Sequence, residues 1–100
     1  MSDWIGSAKA VRLTADGAIF GGPCRILSIY FVSDTTAGSI EILDDGASGT
    51  SLATFDTPIG SGTAGNPAYY QIDMPGQGLH CATSGYADLT TVDKVTILYG

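Results

Sequence analysis

The side chains that could act in catalysis are few and scattered in this chain. His80 is the single histidine, and Ser84 follows it four residues later. General base catalysis would need a nucleophile and an orienting carboxylate beside His80, and no nucleophile elbow or similar motif surrounds Ser84. Glu41 is the single glutamate, so a glycosidase-type carboxylate pair would have to join it to an aspartate, and most aspartates occupy turn sequences. We therefore predict that the protein is not an enzyme.

Sequences that could hold a phosphate or a metal ion are equally weak. Residues 60–65 fit the pattern G-x-G-x-x-G, which binds phosphate between a strand and a helix, but residues 66–67 and another strand follow here. Residues 44–46 form a turn sequence without the regularly spaced oxygen ligands of a calcium loop. Cys24 and Cys81 have no partners at zinc spacing, which leaves two buried thiols or a cross-sheet disulfide. We predict no metal and no cofactor.

The balance of charge excludes several classes of partner. Ten acidic residues against four basic ones give a net charge of −6, and the bases form no cluster that could follow a phosphate backbone. We expect no binding to nucleic acid. The N-terminal sequence lacks the basic start and apolar block of a signal peptide, and no apolar run approaches the about 20 residues of a membrane span. We therefore expect a protein made and used in a cytoplasm and without membrane contact.

The rest of the chain is organised around a run of strand-forming residues at 24–33. With the two-residue period of a strand, both sides of this run are mostly apolar. One side holds Leu27, Ile29 and Phe31, and the other holds Cys24, Ile26, Tyr30 and Val32. A strand of a small antiparallel sheet normally has one wet face, so this strand needs a second cover. That cover is either another segment of the chain or another subunit, and we favour another copy of the chain, at a subunit interface formed by Ile26, Tyr30 and Val32.

Turn signals divide the chain into short alternating runs, and no stretch has a helical period. Counting the runs gives about eight strands, at the spacing typical of sandwiches and jelly rolls. The predicted fold is an all-β, antiparallel β-sandwich of the jelly-roll type in a single domain. Residues 1–22 are expected to form an N-terminal arm and a first strand pair, packed on or exchanged with a sandwich core at 23–100. Residues 59–66 are polar and rich in glycine, so we expect an exposed loop there.

Three stretches resemble the small β-sandwich virion proteins that decorate or cement the capsids of tailed bacteriophages. They are the hairpin sequence at 38–46, the turn at 75–79 and the final strand at 95–100. The resemblance covers most of the chain from Gly22 onward. It implies a jelly-roll-like sandwich without catalytic residues, a homotrimer that sits on the shell of the major capsid protein at the virion surface. The segment before Gly22 fits the pattern less well.

Two segments are the predicted contacts with that shell. Trp4 and Ile5 would anchor the N-terminal arm, and Ser61, Thr63 and Asn66 would contact the shell from the glycine-rich loop. The low charged share of 14% agrees with a protein that buries its surface in an assembly.

Two other functions remain open at this stage. A tail, baseplate or fibre-associated virion protein would use the same kind of oligomeric sandwich. A carbohydrate-binding module would stack sugar rings on flat aromatic faces, which are also common in protein interfaces. The aromatic residues that could form such a platform are Trp4, Tyr69, Tyr70, Tyr86 and Tyr99.

Overall fold

The computed structural model describes residues 8–58 and 69–100. This part of the chain contains nine β-strands and no helix, so it includes no helical segment that could cross a membrane. The strands are β1 (Lys9–Leu13), β2 (Gly17–Phe20), β3 (Cys24–Ser33), β4 (Gly38–Asp44), β5 (Thr50–Thr57), β6 (Tyr69–Asp73), β7 (Leu79–Cys81), β8 (Gly85–Thr90) and β9 (Val92–Tyr99).

The strands form two antiparallel sheets that pack against each other. Sheet A has the order β1-β9-β3-β6, and the short β7 pairs with the same edge of β3 as β6 does. Sheet B has the order β2-β8-β4-β5. If β6 and β7 are taken as one interrupted strand, this is the strand order of an eight-stranded jelly roll. The predicted all-β sandwich of the jelly-roll type is confirmed.

The first two strands do not form the predicted pair with each other. β1 pairs with β9 in sheet A, and β2 pairs with β8 in sheet B. Asp16, between them, accepts a hydrogen bond from the Leu89 backbone N–H at 2.7 Å and so ties the crossing to β8. A hairpin would have kept both strands in one sheet. Dividing them lets Val11 and Leu13 pack on the core from one side and Ile19 from the other.

A β-bulge in the central strand decides which of its side chains face the core. The pairing of β3 with β9 shifts register between Ile26 and Ser28, so the alternation of sides restarts after Leu27. The core-facing residues of β3 are therefore Cys24, Ile26, Ile29 and Phe31, all buried.

The position of Ile26 corrects one of the sequence-based predictions. Its side chain is fully buried between the sheets, so it does not share an outer face with Tyr30 and Val32 and is not available to another subunit. The prediction was wrong because strict two-residue alternation does not continue through a bulge.

The interruption between β6 and β7 lies opposite this bulge. β6 pairs with β3 after the bulge and β7 pairs with β3 before it. The Met74 N–H donates to the Leu27 carbonyl oxygen at 3.0 Å, which satisfies the bulged backbone. Gly78 has a φ of 91°, and a Cβ there would lie 2.6 Å from the Ile26 carbonyl oxygen, so glycine is required where the connection passes the bulge.

The core between the sheets is built mainly from β-branched residues. Its largest fully buried side chains are Ile26, Ile29, Ile40, Ile42, Ile97, Val95 and Cys81. The branched side chains suit the pleated surface of both sheets and lose little rotamer freedom there. Each sheet therefore turns one densely packed apolar side toward the core and its other side away from the core.

Replacement of Ile26 by alanine tests the assignment of sides in the central strand. We expect Ile26→Ala to lower the free energy of unfolding by about 2–5 kcal/mol, because it leaves a cavity in the core. The matched change Leu98→Ala, at a side chain that is 41% exposed, should lower it by less than about 1 kcal/mol. Urea unfolding at high dilution measures both values, and equal losses would contradict the bulge.

Candidate functional site

The outer face of sheet A, on the side turned away from the core, carries three of the five large hydrophobic side chains that are exposed in the described residues. The strand registers align its side chains in four columns, one on each of β1, β9, β3 and β6. The columns are Ala10 and Arg12; Lys94, Thr96 and Leu98; Ser28, Tyr30 and Val32; and Tyr69, Gln71 and Asp73. We call this set the sheet A face.

The large apolar side chains of the sheet A face run diagonally across it, from Leu98 through Tyr30 to Tyr69, and are partly exposed. Tyr30 and Leu98 are each 41% exposed, and Tyr69 is 58% exposed. The rings of Tyr30 and Tyr69 stack, with centroids 6.0 Å apart and planes 15° apart. Val32, which pairs with Tyr69 in register, lies on the same side but is only 5% exposed. On the outer side of β3, Val32 is therefore covered within one molecule, whereas Tyr30 remains partly exposed.

A hydrogen-bonded network occupies one side of the sheet A face. Ser28 Oγ and Gln71 Nε2 both donate to Asp73 Oδ1, each at 2.9 Å, and Gln71 Nε2 also donates to Ser28 Oγ at 3.3 Å. The hydrogen bonds from Gln71 and Ser28 lower the pKa of Asp73. The network therefore holds an ionised carboxylate in one position on β6.

Basic charge is confined to one of the two sheets, which also carries Asp73 and Asp93. All basic side chains of the protein lie on strands of sheet A, at Lys9, Arg12, Arg25 and Lys94. The strands of sheet B carry carboxylates and no basic side chain, at Glu41, Asp44, Asp56 and Asp88. Among the described residues, one ion pair is formed, between Lys94 Nζ and Asp93 Oδ2 at 3.6 Å. Most of the positive charge of sheet A is therefore not neutralised within the described part of the chain.

The outer side of sheet B carries carboxylates close together. Burial raises the pKa of Asp88, and the neighbouring Asp16 and Glu41 raise it further. In the ranges 8–58 and 69–100, no group of three metal-binding side chains is placed to hold an ion. The outer side of sheet B is therefore an acidic surface that repels other negatively charged surfaces.

Asp44, considered above with the calcium sequence at 44–46, binds backbone instead. Its carboxylate accepts hydrogen bonds from the backbone N–H groups of Ala82, Thr83 and Ser84, at 3.2, 2.9 and 3.1 Å. The bonds from Thr83 and Ser84 are the main cause of the lowered pKa of Asp44. Asp44 thus clamps the connection between β7 and β8 to the end of β4.

His80 and Ser84 are not brought together as a catalytic pair. His80 lies on β7 opposite Arg25 of β3, and in the described part of the chain no hydrogen bond joins it to Ser84 or to a carboxylate. Ser84 contributes its backbone N–H to Asp44.

The two cysteines form a buried pair of free thiols. Cys24 and Cys81 lie directly opposite each other on β3 and β7, within one sheet and not across the sandwich. Burial raises the pKa of Cys24, and burial together with the adjacent Cys24 raises the pKa of Cys81 to about 12. Because the thiolate is the reactive form, neither cysteine is an activated nucleophile at neutral pH.

The aromatic residues do not form one platform. Tyr70 stacks on Phe31 on the core side, with centroids 5.4 Å apart, and Tyr99 packs against Phe20 at 5.5 Å. Tyr86 pairs with Leu43 in sheet B, on the opposite side of the sandwich from Tyr69. Of the four members of the predicted aromatic set that the structure describes, Tyr69 alone lies on the sheet A face, where its neighbour is Tyr30, and Trp4 lies outside the described residues.

The predicted shell contacts lie outside the described residues. They are Trp4, Ile5, Ser61, Thr63 and Asn66. Conversely, sequence reasoning missed Arg12, Leu98 and the network around Asp73. The alternation of Lys94, Thr96 and Leu98 along β9 is the signal that could have found Leu98, whereas the network depends on pairing between β3 and β6.

The chain matches no known protein family, no curated protein and no solved structure. The sheet A face, with its exposed aromatic centre and its charged margins, is therefore the feature from which a function can be inferred.

The cysteine pair should resist alkylation in the folded protein. We expect iodoacetamide at neutral pH to label native Cys24 and Cys81 at least about a hundredfold more slowly than the urea-unfolded chain, because burial suppresses the thiolate. Mass spectrometry of the quenched reactions measures both rates. Labelling of the native protein at the unfolded rate would show that β7 does not cover the pair.

Replacement of Asp88 by asparagine should stabilise the protein at neutral pH. The raised pKa means that folded Asp88 binds its proton more tightly than unfolded Asp88 does, so this group favours folding less as pH rises through its folded pKa. Asp88→Asn removes the negative charge that burial and the neighbouring carboxylates disfavour, and its amide still offers a hydrogen-bond donor to Asp16. We expect a higher melting temperature at neutral pH and no gain at about pH 3, where the carboxyl group is protonated in both states.

The exposed Asp56, on β5 of the same sheet, supplies the control for Asp88. Asp56→Asn changes the net charge equally and should leave the melting temperature nearly unchanged. If the two substitutions raised the melting temperature equally, the gain would be due to net charge and not to the cluster around Asp88.

Proposed function

We propose that this protein is a non-enzymatic structural protein of a tailed-phage virion, which decorates the capsid as a homotrimer bound to the major capsid protein. The observation that carries this proposal is the sheet A face, an exposed aromatic and aliphatic surface on a sandwich whose opposite face is acidic. The proposal places the protein on the outside of the shell.

The composition of the sheet A face supports a protein contact. Tyr30, Tyr69 and Leu98 lie in adjacent columns, so their exposed area is contiguous. Aromatic side chains are enriched in interfaces, where they fill large areas at low entropic cost. Contiguous apolar surface of this kind on a small protein usually marks a binding site. Tyr30 remains in the proposed subunit interface, and Tyr69 and Leu98 extend it, whereas Val32 is only 5% exposed and can add little area to it.

The architecture suits a protein that reinforces a shell. A jelly roll is a compact unit, and an oligomer multiplies weak contacts through effective concentration. The likeness of 38–46, 75–79 and 95–100 to phage decoration proteins supports the same function. In the structure, two of these stretches belong to sheets on opposite sides of the core, 38–46 in sheet B and 95–100 in sheet A.

A carbohydrate-binding module is the second candidate, and one local arrangement favours it. The stacked Tyr30 and Tyr69 rings lie beside the polar groups of Gln71 and Asp73, and sugar sites combine aromatic faces with such groups. Because the network already uses Gln71 Nε2 and Asp73 Oδ1 internally, we rank this function second. Binding on a glycan array that is abolished by Tyr69→Ala would favour it.

Capsid binding tests the proposed function directly. Purified protein added to particles of its own phage that lack it should bind at a copy number set by the capsid lattice, because each shell site presents the same surface. Gold-labelled protein should appear over the head in electron micrographs. Label confined to the tail would replace decoration by a tail, baseplate or fibre role, and no binding to either would refute a virion function.

A further inference from the structure

We propose that the sheet A face packs against the same face of neighbouring copies around a rotation axis parallel to its strands, with Arg12 of one copy bonded to Asp73 of the next. This inference rests on the proposed function, for which it names the subunit surface and the ion pair that sets its orientation.

The first observation is that the sheet A face has a basic side and an acidic side. Arg12 lies on β1 at one margin, next to Lys94 of β9, which is paired with Asp93, whereas Asp73 lies on β6, at the other margin of the face. The exposed Tyr30 lies between them on β3. Two further polar side chains on this side of the sheet, Arg25 and His80, lie beyond the bulge at one end of the strands.

This arrangement selects one direction for the rotation axis. An axis parallel to the strands brings the β1 margin of one copy to the β6 margin of the next, so that opposite charges meet. A two-fold axis running across the strands would instead place β1 over β1 and Arg12 near its own copy. Like charges in contact disfavour that packing, so electrostatics fixes the orientation.

The strand registers place the proposed partners within reach. Arg12 pairs with Thr96, which pairs with Tyr30, which pairs with Gln71, so these four residues lie in one row across the sheet. An axis parallel to the strands preserves height along them. Asp73 is two residues beyond Gln71, which is about 7 Å along a strand. An extended arginine side chain spans that distance.

The second observation is that each partner is prepared for the contact. No ion pair involving Arg12 is formed within residues 8–58 and 69–100. Ser28 and Gln71 both bind Oδ1 of Asp73, and across the same residues no hydrogen bond reaches Oδ2. A carboxylate already held in place loses little entropy when a guanidinium binds it, and such charge-assisted bonds are strong.

The acidic face of sheet B is the other surface that could meet the basic margin of sheet A. The two faces lie on opposite sides of the sandwich, so joining them would stack copies in an open filament and not in a closed ring. A closed ring of sheet A faces buries Tyr30 and Leu98 near the axis and leaves the acidic sheet B faces of the different copies in solvent, apart from one another.

Charge reversal across the proposed pair tests the inference. Sedimentation equilibrium should give a closed oligomer for the wild type, a multiple of 10.2 kDa. Arg12→Glu and Asp73→Lys should each raise the dissociation constant at least about tenfold, the effect of about 1.4 kcal/mol. The double variant should restore it to within about threefold, because the pair is re-formed with its charges exchanged.

Lys9→Glu is the matched control. It makes the same charge change on the same strand, but Lys9 lies over the Phe20 ring, 6.0 Å from its centroid, on the other side of β1. It should leave assembly unchanged. An equal effect of Lys9→Glu and Arg12→Glu, no rescue in the double variant, a monomeric wild type, or mass that grows without limit would each overturn the inference.

The capsid experiment separates this inference from the proposed function. A monomer that still binds capsids at a lattice copy number overturns the pairing and leaves decoration standing. A closed oligomer that shows the charge rescue but does not bind capsids supports the pairing and refutes decoration.

Discussion

The bulge at Leu27 is the constraint on which the rest of this sandwich depends. It lets the central strand deliver Cys24 and Ile26 before it, and Ile29 and Phe31 after it, to one continuous core. Without the bulge, half of that strand would turn its apolar side chains to solvent. The break between β6 and β7 follows from it, because the neighbouring edge must accommodate the extra residue. The bulge also leaves Tyr30 outward, beside Tyr69.

The division of charge follows from the way the chain alternates between sheets. Basic residues happen to fall in strands that the jelly-roll order assigns to sheet A, and most strand carboxylates fall in sheet B. Sequence distance gives no sign of this, since Arg12 and Lys94 are far apart along the chain and close in the sheet. Net charge therefore describes the protein poorly. The outer face of sheet A is suited to contact between copies, whereas the acidic outer face of sheet B repels the same face of another copy.

The fold could be predicted further than the surface. Alternating runs and Asp-Gly turns identify strands, and the turn at Asp45 and Gly46 has the expected positive φ values of 78° and 85°. Local patterns do not encode a register shift, so Ile26 was placed on the wrong side. They do not encode pairing either, so the separation of β1 from β2 was missed. The network around Asp73 joins residues that are 45 positions apart in the sequence. It can therefore be identified only once the pairing of β3 with β6 is known.

The interrupted margin of sheet A also affects whether copies could aggregate through their edge strands. Long straight edge strands invite unlimited addition of further strands, which leads to fibrils. Here the margin beside β3 is broken into pieces of five and three residues, and the opposite margin, β1, has five. Backbone pairing between molecules along sheet A would be short and weakly cooperative. Side-chain recognition is left as the means by which copies can meet in an ordered way.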